Sequence, residues 1–270
     1  MPMEKQAKQK VVVIGCGHVA WHIAKHLASL KRFSLFVYNH EKNPLLTEFK
    51  TRLRCHTAVG LDKVIPDASV YVICVTDKYI SELSGRLIIR NPNALLLHTS
   101  GSVPLQEISG RLCHTGVFYP LQTFSRQAET DWSVIPIITE SSGEDAARLL
   151  VSWARLFSKT VIALAYQDRL RLHLAAVMVN NFTNALYVAA SDLVHQAGGG
   201  KTLDFELLYP LIGQTTAKLQ QMDPRSAQTG PARRRDKGVM KKHLALLSGQ
   251  EELRKVYKQL SKLIVKQQEK

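Results

Sequence analysis

The chain has 270 residues, 45% hydrophobic and 21% charged, enough for two ordinary domains with buried cores and too apolar for a disordered protein. Its 36 lysines and arginines outnumber 22 acids to give a net charge of +14. They are spread along the chain without the interleaved aromatic ladder of a single-strand platform, so no nucleic-acid partner is expected. No apolar run reaches the roughly 18–20 residues that span a bilayer, the start has no apolar leader, and Cys16, Cys55, Cys74 and Cys113 are too scattered for a metal cage; the expectation is a metal-free cytoplasmic protein with no membrane contact.

In chain order, 10–14 is a short β-branched strand that stops at Gly15, and 18–30 has helical spacing with Val19, Ile23, Leu27 and Leu30 on one face. A second buried strand covers 34–39, a helix and then a short strand near 55–57 lie within 44–59, and 69–75 (SVYVICV) is a fully apolar strand before a helix that begins at Asp77. Further strands are expected at 94–98, 116–119 and 134–139, with a turn at 99–102. Strands alternating with helices at this spacing imply a mostly parallel sheet covered on both faces. Beyond about Thr160 the strand signal ends: 166–197 reads as one long helix halted by Gly198-Gly199-Gly200, followed by helices at 205–222, 237–247 and 251–267. The division expected is 1–162 for the α/β domain and 163–270 for an all-helical domain.

The first strand runs into Gly15-Cys16-Gly17-His18-Val19-Ala20, which fits G-x-G-x-x-[G/A] between a strand and a helix. The first glycine permits a tight turn, the second lets a diphosphate reach bare backbone, and the small third residue lets helix and strand pack closely. The helix start then offers free N–H groups and the positive end of its dipole to phosphates. This is the signature of a doubly wound, dinucleotide-binding Rossmann domain. Its second strand ends Val37-Tyr38-Asn39-His40 with no carboxylate until Glu41. A neutral Asn39, with His40 beside it, favours NADP over NAD; the alternative is that Asn39 caps the next turn.

Ligands of such sheets lie beyond the carboxyl ends of the strands. That rule gathers Val75-Thr76-Asp77, His98-Thr99-Ser100-Gly101-Ser102 and Tyr119-Pro120-Leu121-Gln122-Thr123 around one crevice, with Val75, Thr76, Thr99 and Ser100 toward the cofactor and Gln122 and Thr123 toward a substrate. His98 is a proton-donor candidate, or else a hydrogen-bonding partner for the end of the sheet. On the long helix, His173, Asn180 and Asn184 share a stripe about 40° wide at 100° per residue, set in an otherwise apolar sequence; they suit a bound substrate or, equally, backbone from neighbouring helices or a dimer mate. The loop Gln228-Thr229-Gly230-Pro231-Ala232-Arg233-Arg234-Arg235-Asp236 offers Thr229 and Arg234 to a carboxylate or phosphate, unless Asp236 caps the next helix and the arginines face solvent.

The runs HTSGSVPL (98–105), GVFYPLQTFS (116–125), LHLAAVMVNNFTNALY (172–187) and QTGPARRRD (228–236) resemble a bacterial two-domain family that joins a Rossmann-like domain to a C-terminal helical domain of unknown function. Its members are called NADP oxidoreductases or deazaflavin-dependent NADP oxidoreductases. More distantly the chain is similar to β-hydroxyacid dehydrogenases, pyrroline-carboxylate reductases and ketopantoate reductases. In ketopantoate reductases a helix carries a lysine and then asparagines four and eight residues on; Asn180 and Asn184 match those asparagines, but Ala176 stands at the lysine's place. Asn180-Asn181 resembles the Asn-Asn pair of hydroxyacid dehydrogenases, again without the lysine. The resemblance therefore leaves His173, one turn earlier, as the substitute proton donor and His98 as the second choice.

These readings converge on an NADP-dependent oxidoreductase for a small carboxylate-bearing substrate, such as a 2-oxo acid like ketopantoate, or an imine. The missing lysine keeps open a non-catalytic NADP-binding sensor or assembly protein. A long apolar helix with few neighbours to cover it implies a homodimer through the helical domain.

Overall fold

The computed structural model of the chain describes residues 8–108, 113–198 and 200–269. The start at 1–7 and Gly199 of the glycine run lie outside the described residues. Contacts divide the chain into two compact units, one up to Asn180 and one from Asn181 on.

The first unit alternates β1 (Gln9–Ile14), α1 (His18–Ser29), β2 (Phe33–Asn39), α2 (Pro44–Leu53), β3 (His56–Val59), β4 (Val70–Ile73), α3 (Ile80–Arg86), β5 (Leu95–His98), β6 (His114–Pro120), β7 (Ile137–Ser141), α4 (Glu144–Ala154), β8 (Val161–Ala163) and α5 (Tyr166–Val177). The sheet order is β3-β2-β1-β4-β5-β6-β7-β8, with every pair parallel except β6–β7. Strand order reverses between β1 and β4, which opens a crevice at their carboxyl ends.

The central strands are apolar on both faces because both faces are covered. Val11, Val13, Val37, Val72 and Leu97 point to one side and join Trp21, Ile23 and Leu27 of α1, Phe49 of α2 and Leu150 and Trp153 of α4. Val12, Ile14, Tyr71, Ile73 and Leu96 point to the other and meet Ile80 of α3, Leu105 and Ile108. Local chemistry sets the helix ends. Asn43 accepts the Leu45 N–H ahead of Pro44 at the start of α2, and Arg54 closes it in the left-handed region at φ 55°. On α1, His18, His22 and His26 recur once per turn and bond the carbonyls of Phe124, Ser125 and Leu156 at 2.9, 2.8 and 2.7 Å, clamping distant segments to the helix.

Three elements depart from the expected order. The three-residue β8 lies beyond Thr160; it exists through pairing with Ile137–Thr139, a long-range partner invisible to local patterning. Helix α4 is an addition to the expected elements. The expected long helix forms without a gap, as α5, a π-helical turn at Met178–Phe182 and α6 (Thr183–Gln196), and the chain passes from one unit to the next within that turn. The second unit continues with α7 (Tyr209–Leu219), the short α8 (Pro224–Ala227), which is the third addition, α9 (Lys237–Leu246) and α10 (Glu251–Gln267). Within it Tyr187, Phe205 and Tyr209 form a chain of ring contacts, and the Tyr257 hydroxyl meets Nδ1 of His243 at 2.9 Å.

Candidate active site

Gly15 has φ +106°, and a β-carbon there would lie 2.3 Å from the Cys74 carbonyl oxygen. The conformation and the close approach of β4 both require glycine. Its N–H donates to the Tyr38 carbonyl at 2.8 Å, so the turn is pinned between the ends of β2 and β4. Gly17 instead faces open space, with nothing within 4 Å of where a β-carbon would sit, and it starts α1 without any side-chain cap. The first N–H groups of α1 are thus left for water or a ligand.

A cavity of about 680 Å³ opens beside this turn, lined by Gly15, Cys16, Gly17, Asn39, His40 and Gly60, by Asp62, and by Cys74, Val75 and Thr76 with Tyr79, Glu82 and Arg86 behind them. Seven of the expected cofactor residues therefore share one wall: Gly15, Cys16, Gly17, Asn39, His40, Val75 and Thr76. The cavity's carboxylates are already paired, Asp62 with Lys63 at 2.9 Å and Glu82 with Arg86 at 3.1 Å. Asn39 donates to the Glu41 carbonyl at 3.0 Å, as a turn-capping residue would. The side chain of His18 bonds the Phe124 carbonyl, and that of Val19 packs against the core. Burial pushes the Cys74 thiol up to about 12 and raises that of Cys16.

Next along the chain, the Asp77 carboxylate accepts the hydroxyls of Ser100 (2.9 Å) and Ser102. The Ser100 oxygen in turn accepts the N–H groups of Ser102 and Val103 at 3.0 and 3.1 Å. Ser100 is thus buried in its own turn, and Thr99 reaches back to the Ile73 carbonyl at 3.5 Å. His98 is fully buried; its Nδ1 accepts the Ser100 N–H at 3.2 Å, and its Nε2 has no hydrogen-bond partner among the described residues. Burial, then the charge of Arg169, pushes the His98 imidazole down to about 3. It is a neutral side chain locked beneath the turn.

Sequence reasoning missed Arg169. This side chain is wholly buried, donates to Glu140 at 2.9 Å and to the carbonyls of Ser100 (3.0 Å) and Val103 (2.8 Å), and faces the Tyr166 ring. It bolts α5 to the 99–103 turn. One helical turn later, Nδ1 of His173 meets the Tyr119 hydroxyl at 3.0 Å. The pair lies against Gly101, where a β-carbon would come within 2.7 Å of His173 Nδ1 and 2.8 Å of Tyr119 Cζ. The available signal was spacing: Arg169 and His173 stand four apart on one helix face.

Gln122 and Thr123 are exposed, with the Gln122 side chain on the Thr123 N–H at 2.9 Å. Asn180, Asn181 and Asn184 are exposed, not buried as an apolar helix would suggest, and Asn181 and Asn184 belong to the second unit. In that unit Thr229 and Arg234 are exposed, Arg233 donates to the Ser226 carbonyl at 3.2 Å, and Asp236 caps α9 through the Val239 N–H at 3.0 Å. Asp236 thus serves as a helix cap.

Residues 135–264 match the family described as a domain of unknown function, DUF2520. A Bacteroides fragilis protein named "putative NADP oxidoreductase" is similar over 96% of this chain and 99% of its own, at 34% identity and a TM-score of 0.88. The chain belongs to that family of two-domain Rossmann proteins. A Thermotoga maritima member of the same fold, whose name states no activity, covers 96% of this chain and 100% of its own at 20% identity and TM-score 0.78. A pyrroline-5-carboxylate reductase from Coxiella burnetii shares the fold at 18% identity and TM-score 0.55, over 98% of each chain. No curated protein matches by sequence.

Proposed function

We propose that this family member is an NADP-dependent oxidoreductase, with the cavity at the glycine turn as its cofactor site. The observation that carries the reading is the bare, uncapped start of α1 facing a cavity whose walls are the ends of β1, β2 and β4. The Bacteroides relative's name points the same way. Gly15, Cys16 and Gly17 would hold the diphosphate, and Val75 and Thr76 would border the dinucleotide. Asn39 and His40 would meet the 2′-phosphate without the repulsion of a carboxylate at the end of β2. Bound there, the nicotinamide supplies or accepts hydride.

His173 is the proton donor in this reading. It is half-buried on a helix held by Arg169, whereas His98 is neutral and enclosed. The substrate is a small carboxylate-bearing 2-oxo acid, ketopantoate being one example, or an imine, with Asn180, Asn181 and Asn184 or Thr229 and Arg234 as its polar contacts. Calorimetry with NADPH and NADH tests the cofactor, and turnover over a panel of keto acids, imines and deazaflavin tests the chemistry. Tight NADPH binding with preference over NADH is expected; failure of both nucleotides to bind overturns the reading.

The same proposal includes a homodimer formed by the helical unit. Among its described residues only Ala232, Leu247 and Ser261 are buried, while Phe182, Val188, Leu207, Leu211 and Leu246 are exposed. Few soluble proteins leave that much apolar surface to water.

A further inference from the structure

Resting on the oxidoreductase reading, we propose that Tyr119 is a positioning residue for proton transfer: it holds the His173 ring by Nδ1, so that Nε2 is the nitrogen that delivers the proton. Three independent features fix the pair. Tyr119 is the penultimate residue of β6, a strand inside the sheet, and its hydroxyl lies 3.0 Å from Nδ1. The rings meet edge to face with centroids 5.7 Å apart, which leaves the imidazole little freedom to turn over. Gly101 beneath them leaves room for nothing larger, since a β-carbon would collide with both rings.

The surrounding charges belong to other duties. Arg169 and Glu140 are paired, Asp77 holds Ser100 and Ser102, and His98 is neutral. Burial raises the Tyr119 phenol, so it keeps its hydrogen and remains a two-way partner. It accepts from Nδ1–H when the imidazole is protonated and donates to Nδ1 when the imidazole is neutral and carries its hydrogen on Nε2. In the delivering step the Nε2–H bond of the protonated ring breaks. An O–H bond, or N–H for an imine, forms on the substrate heteroatom that receives the π pair, while the reducing pair reaches carbon from the reduced nicotinamide. Nδ1 keeps its hydrogen on the Tyr119 oxygen throughout that transfer.

The test compares the unchanged protein with Tyr119→Phe by imidazole ¹⁵N NMR, without cofactor, with His173→Gln to identify the resonances. The expected result is displacement of the Nδ1 and Nε2 signals in opposite directions, because loss of the Tyr119 hydroxyl redistributes the one hydrogen of the neutral ring between them. Replacing the tyrosines by fluorotyrosine keeps the fold and makes the hydroxyl a stronger donor, so Nδ1 should move the opposite way. In turnover, Tyr119→Phe should lower kcat roughly 10- to 100-fold with KM little changed, and should move the pH profile. Identical Nδ1 signals in all three proteins would overturn the proposal. A displaced Nδ1 in a protein that binds no pyridine nucleotide would overturn the proton-delivery role and the oxidoreductase reading together, whereas unmoved signals beside tight NADPH binding would overturn only this inference.

Discussion

A single methyl group separates a working glycine turn from a blocked one at position 15, because the Cys74 carbonyl would lie 2.3 Å from it. Gly15→Ala should therefore cost about 1–3 kcal/mol of stability and abolish nucleotide binding, measured by thermal unfolding and calorimetry. Binding that survived would move the phosphate site elsewhere. His98 makes a different prediction. Its folded-state value, about 3, lies below the ordinary 6.5, so between those values the unfolded chain binds more protons. Its contribution is complete above about pH 6.5 and is lost as pH falls toward the folded value. The urea midpoint of the unchanged protein should fall across pH 6.5–4 more steeply than that of His98→Asn; parallel slopes would contradict the buried neutral ring. His98 was legible as a polar residue ending an apolar strand. Its enclosure was not, because that depends on what packs over the end of β5 in three dimensions.

At the scale of elements, the buried Arg169 guanidinium anchors α5 through an ion pair with the half-buried Glu140 and through two backbone carbonyls. Arg169→Met strips Glu140 of its partner and frees both carbonyls, so a loss of about 3–5 kcal/mol is expected by urea unfolding. Adding Glu140→Leu should return part of that loss, because the uncompensated carboxylate goes too. A double variant no more stable than the single one would mean that the two carbonyls, rather than the charge, carry the cost. Strands with strong β-branched runs were plain in the sequence, since burial on both faces leaves no polar alternation to confuse them. The short β8 and the antiparallel turn from β6 to β7 were not, because three residues carry no period and strand direction is decided by the connection.

For the whole molecule, the helical unit's exposed side chains, with Leu246 at 76% and Leu211 at 65%, lead to an expected dimer. Sedimentation at micromolar concentration should give twice the chain mass, and Leu211→Asp should shift it toward the monomer. A clean monomer for the unchanged protein would refute the assembly. The same surface explains why the asparagine stripe reads as buried in the sequence. An apolar helix looks like a core helix whether its cover comes from its own chain or from a second copy, and periodicity alone does not separate the two.

The sequence by itself determined the glycine turn, the parallel strands that lead to it, the long helix that begins near residue 166 and the neutral end of β2. Each follows from interactions between near neighbours: backbone freedom, alternating burial, a missing carboxylate. Tertiary structure alone decided that Ser100 serves its own turn, that His98 is sealed, that Arg169 holds α5 and that Tyr119 meets His173. The bonds of Arg169 and His173 join residues 29 to 69 positions apart. They follow from how strands and helices stack, and the free energy that selects them is spread over packing that no local window contains.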